Sequence, residues 1–166
     1  ELKVFFDVFI DGSASIQSIH RSRRPGYGNQ PVMKITGRDY SDYSHYHLGK
    51  TLPNSLDPKL KYLEVGPGLG GFLEHITSKQ ESSKTSCPKP VALDIANYPL
   101  MIDMLREASN TDFVKQNPLL ESIVLKYMMR AELILNREKV RFINMDLRSA
   151  ALNFSDLMGW ADFVVD

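Results

Sequence analysis

The sequence predicts an α/β fold with a doubly wound, mainly parallel sheet and flanking helices. Three observations predict it. Short apolar strands alternate with segments whose apolar residues recur at helical spacing. A glycine-rich turn directly follows the first of these strands, and acidic residues stand at the ends of the later ones. Strands that alternate with helices are typical of parallel sheets joined by right-handed crossovers.

The first predicted strand spans residues 61–65 and leads into the glycine turn. The helix behind the turn has an apolar face formed by Phe72, Leu73 and Ile76. Residues 78–90 are polar and contain two prolines, so they predict a solvated loop. Residues 91–95 (VALDI) are rich in apolar side chains and predict the second strand.

A second helix is predicted to begin at Asn97, which can cap it, with Pro99 in its first turn. Its apolar stripe is Met101, Met104, Leu105 and Ala108. Another helix is predicted to start near Pro118, with the apolar stripe Leu120, Ile123, Val124, Tyr127, Met128, Ala131 and Leu135. Residues 139–147 and 161–165 predict the third and fourth strands, with a short helix between them.

The chain divides into an N-terminal extension, residues 1–59, and an α/β domain, residues 60–166. In the extension, an Asp-Gly pair at 11–12 follows a β-prone run and predicts a small hairpin. An aromatic and histidine group at 40–47 and a basic group at 20–24 are interpreted mainly as packing or solvated surface. The two histidines of the first group lack a third ligand nearby, so no metal site is predicted.

Bulk composition indicates an ordinary globular protein. The 166 residues carry 20 basic and 20 acidic side chains, so no overall field steers the chain toward nucleic acid or membrane surfaces. The single cysteine excludes an internal disulfide and a cysteine-rich zinc site. No apolar run approaches the roughly 20 residues of a membrane span, and no signal peptide is evident, so a cytoplasmic protein is expected.

The glycine turn, residues 66–71 (GPGLGG), has four glycines in six positions between a predicted strand and a predicted helix. Glycine permits positive φ angles and lets a ligand approach the backbone closely. The spacing fits a dinucleotide site, with Asp94 near the expected distance of about 20 residues. Three acids favour a different nucleotide cofactor: Glu64 before the turn, Asp94 closing the second strand, and Asp146 closing the third. A dinucleotide site has no general need for the last of these.

The runs LEVGPGLG, VALD, FINMD and ADFVVD, in this order and each at a strand end, resemble the motifs of class I S-adenosylmethionine-dependent methyltransferases. The resemblance covers about residues 60–166. It implies a Rossmann-like domain that binds S-adenosylmethionine and transfers its methyl group to an unidentified acceptor, which the resemblance leaves open as a small molecule, a protein or RNA.

The resemblance also implies roles for residues around the glycine turn. Gly66, Gly68 and Gly70 would shape the loop beneath the methionine and ribose parts of the cofactor, with Pro67 in the same loop. Glu64 would orient the methionine amino end.

Further roles fall at the ends of the later strands. Asp94 would accept hydrogen bonds from the two ribose hydroxyls, because a carboxylate offers two acceptor oxygens at matched spacing. Ile95 would contact the adenine face, Asp146 would receive the adenine amino group, and the backbone N–H of Leu147 would face the ring. Asp166 would lie by the sulfonium and the incoming substrate. No catalytic residue is identified.

Two departures from the family pattern leave alternatives open. Residues 109–138 contain an additional helix that could cover the cofactor, contact substrate or pack on the sheet. The family fold has seven strands, whereas this sequence stops as the fourth finishes, which predicts either a fragment or an exposed edge that promotes homo-oligomers. Two alternative hypotheses remain: an NAD-dependent oxidoreductase, and a catalytically inactive binding domain of the same fold.

Overall fold

The computed structural model describes residues 56–69 and 71–165. The predicted N-terminal hairpin, the groups at 20–24 and 40–47, Gly70 and Asp166 lie outside these residues. Within the described part, four parallel strands form one sheet in the order β3-β2-β1-β4. The strands are β1 (Tyr62–Val65), β2 (Val91–Asp94), β3 (Arg141–Asn144) and β4 (Phe163–Val165). The predicted α/β fold with a parallel sheet is therefore confirmed.

Five helices and one short 3-10 turn flank the described strands. The helices are α1 (Gly71–Ser82), α2 (Tyr98–Ser109), α3 (Asp112–Lys115), α4 (Pro118–Leu135) and α5 (Leu147–Asn153), and the 3-10 turn is Ser155–Leu157. In the described residues, no helix is long and apolar enough to cross a membrane.

The helices cover both faces of the sheet. On one face, α1, α2 and α4 bury a large apolar cluster against β-strand side chains such as Tyr62 and Ala92. On the other face, α5 and the 3-10 turn pack over a smaller cluster that includes Leu93 and Ile143. Because β2 is buried on both faces, its four residues are all buried and its sequence does not alternate.

The sheet reverses its direction of growth at β1. The chain builds β1, β2 and β3 outward in one direction and then returns to place β4 on the other side of β1. Ligands in open α/β sheets bind beyond the carboxyl ends of the strands at such a switch point. The glycine turn follows β1, so it lies at this position. In the described residues β4 pairs only with β1, and its Val164 side chain is exposed.

The residues expected at the start of α2 act as predicted. The Asn97 side chain accepts a hydrogen bond from Leu100 N, and proline occupies the first turn. All four residues of the predicted α2 stripe are buried. The helix predicted near Pro118 begins at that residue, with Asn117 as its cap.

Three sequence predictions need correction. The loop predicted for residues 78–90 begins later, because α1 continues to Ser82. Its polar end is tethered by Gln80, whose side-chain amide donates to the carbonyls of Pro58 and Pro88. The third strand ends at Asn144. Asp146, predicted to close that strand, instead caps α5.

The apolar stripe predicted for α4 is also incomplete. Leu120, Val124 and Ala131 are buried as expected, but the buried face includes Arg130 and Ile134, which the apolar pattern had omitted. An arginine on the buried face of a helix is unusual because a buried charge needs partners. Its contacts are described below.

Candidate functional site

The glycine turn adopts a backbone that requires glycine at two positions. Gly66 and Gly68 have φ angles of 66° and 55°, in the left-handed region that side chains with a β-carbon rarely adopt. The Gly66 N–H donates to the Leu93 carbonyl at 2.8 Å, which extends the β1–β2 hydrogen bonding into the turn. A β-carbon built on Gly66 would meet no heavy atom of the described residues within 4 Å, so this part of the turn faces open space.

Asp94 ends the neighbouring strand, one residue beyond the pairing of Val65 with Leu93. Its side chain is only 9% exposed. One carboxylate oxygen, Oδ1, accepts from Ala96 N at 3.0 Å, and the other lies 3.0 Å from the Tyr98 hydroxyl. A carboxylate has about four lone-pair positions, so these two contacts fix its orientation and leave capacity for further donors.

Tyr98 connects Asp94 to the glycine turn. Its hydroxyl oxygen lies 2.8 Å from the Gly68 carbonyl oxygen and 3.0 Å from Asp94 Oδ2. The hydroxyl has one proton, so the two acceptors compete for it. The ring is fully buried and meets Phe142 edge to face, with centroids 5.2 Å apart. The hydroxyl is therefore held between the loop and the acid by packing from β3.

Asn144 holds the turn that follows β2. Its side-chain amide donates to the carbonyls of Asp94 and Ala96, at 3.0 and 2.9 Å. Both ends of the three-residue turn are thus fixed, and Ile95 stands at its middle with 45% of its surface exposed. An exposed apolar side chain on a fixed turn can contact an apolar surface of a ligand.

Glu64 lies in β1 and is 2% exposed, although the other residues of that strand are apolar. It pairs in register with Ala92 and Val165, which places it in the middle of the sheet just before the glycine turn. Burying a carboxyl group costs free energy that an apolar residue at this position would not. An acid at this position therefore needs hydrogen-bond partners.

The later predicted residues have a different environment. Asp146 is exposed and caps α5, accepting from Ser149 N at 2.9 Å and Ser149 Oγ at 2.7 Å. These hydrogen bonds, led by that from the Ser149 side chain, lower the pKa of Asp146 below its usual value. Leu147 begins α5 and is 56% exposed. The capping contacts give Asp146 a structural role of its own, independent of a ligand.

Sequence reasoning missed Tyr98, Asn144 and Arg130. Two of them carried a signal that the pattern could have shown. Asparagine is depleted in strands, so Asn144 within β3 is unexpected on propensity alone. Arg130 falls three residues after Tyr127 and four before Ile134, on the apolar side of the helix. Nothing in the local sequence distinguishes Tyr98 from an ordinary buried aromatic residue.

Two open grooves lie elsewhere, between α1 and α4. Their volumes are about 390 and 350 Å³, and both are lined by Glu74 and Met129. Neither includes the glycine turn or Asp94, so the sheet edge and these grooves are separate surfaces. Across residues 56–69 and 71–165, no group of three His, Cys, Asp or Glu side chains is arranged to hold a metal ion.

Comparison with known proteins identifies no similar protein. No protein-family model matches the chain, and searches of curated proteins and of solved structures find no significant match.

Proposed function

We propose that residues 60–166 bind S-adenosylmethionine and that the protein transfers its methyl group to an acceptor. One observation carries the proposal. At the switch point of the sheet, a left-handed glycine turn and the buried acid of the next strand are joined through one hydroxyl, that of Tyr98. The loop and the acid thus form a single unit beside open space at Gly66.

The acid is suited to a vicinal diol. The Ala96 N–H and the Tyr98 hydroxyl hold the Asp94 carboxylate in one orientation, and its remaining lone pairs can accept from two hydroxyls. Hydrogen bonds to an ionised acceptor are stronger than those between neutral groups. A ribose would therefore be bound by a group whose geometry is set before the ligand arrives.

Exposed apolar side chains flank this acid on the side of β3. Ile95 follows β2 and Leu147 follows β3, and these strands are neighbours with Asp94 opposite Asn144. Adjacent strands lie about 4.8 Å apart. Ile95, exposed directly after β2, suits contact with a purine face, and the resemblance assigns the backbone N–H of Leu147 to the edge of the ring.

Glu64 supplies the remaining polar feature. It is buried beneath the turn, on the strand that leads directly to Gly66. The resemblance to the methyltransferase motifs assigns this acid to the amino end of methionine, and an acid at this point is better suited to an ammonium group than to a phosphate.

When bound, the cofactor supplies a methyl group already activated by the positive charge of its sulfur. The chain then has to orient the cofactor, because alignment of methyl donor and acceptor supplies much of the rate enhancement in such transfers. It also has to exclude water from the site. The clamp on Asp94 and the rigid turn at Ile95 would serve this orienting role.

Two observations favour the second candidate, an NAD-dependent oxidoreductase. The third-strand acid counted against NAD, but the capping contacts of Asp146 explain that residue without a cofactor. Gly71 is also buried at the start of α1, where the dinucleotide pattern has its third glycine for close helix packing. The two cofactors must therefore be compared directly.

The test is calorimetric titration of the full chain with S-adenosylhomocysteine, S-adenosylmethionine and NAD. The variant is Asp94→Asn, which keeps the shape but removes the charge, and the matched control is Asp103→Asn on the exposed side of α2. We expect both sulfur cofactors to bind, with a Kd raised at least tenfold by Asp94→Asn and unchanged by the control. Binding of NAD alone would refute the proposal.

Methyl transfer is then measured as release of S-adenosylhomocysteine when RNA, peptides or small amines and alcohols are supplied as acceptors. Release with one acceptor class identifies the substrate. Tight binding without release from any class would instead favour a domain that binds the cofactor without turnover.

A further inference from the structure

The inserted helix α4 reaches the glycine turn through one side chain. Arg130 is 4% exposed, and its Nη1 donates to the Leu69 carbonyl at 3.2 Å. Its Nε and Nη2 both donate to Glu74 Oε2 in the first turn of α1, at 2.9 and 2.6 Å. One guanidinium therefore joins α4, the turn and the helix that follows it.

Burial of this arginine requires a reason beyond helix packing. A guanidinium stays charged at all ordinary pH values, so it cannot escape the cost of burial by losing its proton. Its neighbours on the buried face, Ala131 and Ile134, are apolar and pack against the large core cluster. An apolar residue would fill the position at lower cost, whereas only a forked donor can reach a backbone carbonyl and a carboxylate together.

Two successive carbonyls of the turn are held in this way, each from a different helix. The Tyr98 hydroxyl on α2, which the Gly68 carbonyl shares with Asp94, contacts that carbonyl, and Arg130 on α4 donates to the carbonyl of Leu69. A glycine-rich turn has many accessible backbone conformations, and ordering it on ligand binding costs free energy. Contacts that order the turn beforehand reduce that cost and raise affinity.

We infer that Arg130 is a positioning residue of the nucleotide loop, so that α4 sets the affinity of this site for its cofactor. The inference rests on the proposed function for its ligand, but the ordering of the loop can be measured without one. It also assigns a role to the helix that distinguishes this chain from the shorter family pattern.

The experiment compares three variants at a temperature where all are folded. Arg130→Met removes both contacts while keeping the aliphatic volume, and Arg130→Lys keeps the charge with a single point donor. Ile134→Ala is the control, because it removes a buried side chain one helical turn away that cannot hydrogen-bond to the loop. The Kd for S-adenosylhomocysteine and the hydrogen exchange of residues 62–72 in the ligand-free protein are measured for each.

We expect Arg130→Met to raise the Kd on the order of tenfold, Arg130→Lys to restore part of the loss, and Ile134→Ala to stay within about twofold of wild type. Hydrogen exchange in residues 62–72 should accelerate in Arg130→Met and not in the control. Equal effects of Arg130→Met and Ile134→Ala on both readouts, or no effect of either, would overturn the inference.

The two readouts separate this inference from the proposed function. If the wild-type chain binds neither sulfur cofactor, the proposed function fails and hydrogen exchange alone decides the role of Arg130. Faster exchange of the loop in Arg130→Met alone then still supports positioning, and unchanged exchange refutes it.

Discussion

Replacing Tyr98 with phenylalanine removes one oxygen atom from the centre of the proposed site. That oxygen contacts the Gly68 carbonyl at 2.8 Å and Asp94 Oδ2 at 3.0 Å, and the ring itself is fully buried. The phenylalanine ring keeps the edge-to-face contact with Phe142. The perturbation is therefore confined to the hydrogen bonds.

The size of the effect follows from the acceptors. A hydrogen bond to a charged group contributes about 1.5–3 kcal/mol, and a buried acceptor left without its donor loses a similar amount. We expect Tyr98→Phe to lower the free energy of unfolding by about 1.5–3 kcal/mol, which corresponds to a fall in Tm of roughly 3–12 °C for a chain of this size. The Kd for S-adenosylhomocysteine should rise roughly tenfold, because Asp94 loses one of its two orienting contacts.

The matched control is Tyr62→Phe. Tyr62 is equally buried, but its hydroxyl donates to the Asp57 carbonyl at 2.8 Å, away from the glycine turn. Its acceptor is neutral, so we expect a loss of about 0.5–1.5 kcal/mol and no change in cofactor affinity. Urea unfolding followed by circular dichroism and calorimetric titration measure the two quantities. The least that a typical hydrogen bond contributes is about 0.5 kcal/mol. If Tyr98→Phe changes the free energy of unfolding by less than this and leaves the cofactor affinity unchanged, the Tyr98 hydroxyl does not join the turn to Asp94.

Two further predictions concern the surroundings of the site. Asn144→Ala should lower the free energy of unfolding by about 0.5–1.5 kcal/mol, because the carbonyls of Asp94 and Ala96 lose a shared donor at a partly exposed position. Asn144→Asp should cost more, since a carboxylate repels both carbonyls, and equal urea midpoints for the two variants would contradict this account. Burial, with a smaller contribution from Lys79, lowers the pKa of His75 below 6.5, so folding favours its neutral form. The stability that neutral His75 contributes is complete above about pH 6.5 and is lost as the pH falls toward the lower pKa of the folded protein. In parallel urea titrations between about pH 7.5 and 5.5, wild type should therefore lose more stability than His75→Gln. Identical losses would show that His75 does not contribute.

Much of the fold could be predicted because local chemistry specifies it. The parallel strands, the cap at Asn97 and the buried stripe of α2 all follow from residue type and spacing. One error reflects a tertiary contact and the other a local helix cap. The helix α1 extends into the expected loop with Gln80 tethered to two prolines, and Asp146 serves as a helix cap beyond the strand it was expected to close.

In the candidate site, too, some residues could be predicted from the sequence and others could not. Glycine at positions 66 and 68 could be read directly from the sequence, because a left-handed backbone has few other solutions, and Asp94 could be read as a strand-end acid. The hydrogen bonds that join the site to distant elements could not be predicted. Arg130 and Leu69 are 61 residues apart, and Asn144 and Ala96 are 48 apart.

Periodicity tells which face of an element is buried, but not which side chain of a distant element will meet it there. The sequence by itself determined the order of strands and helices, the glycine turn and the acids near it. Only the tertiary structure decided that Tyr98 joins the turn to Asp94 and that α4 reaches the same turn through Arg130. The physical reason is that hydrogen bonds between elements depend on how the elements pack, and local residue patterns do not encode that packing.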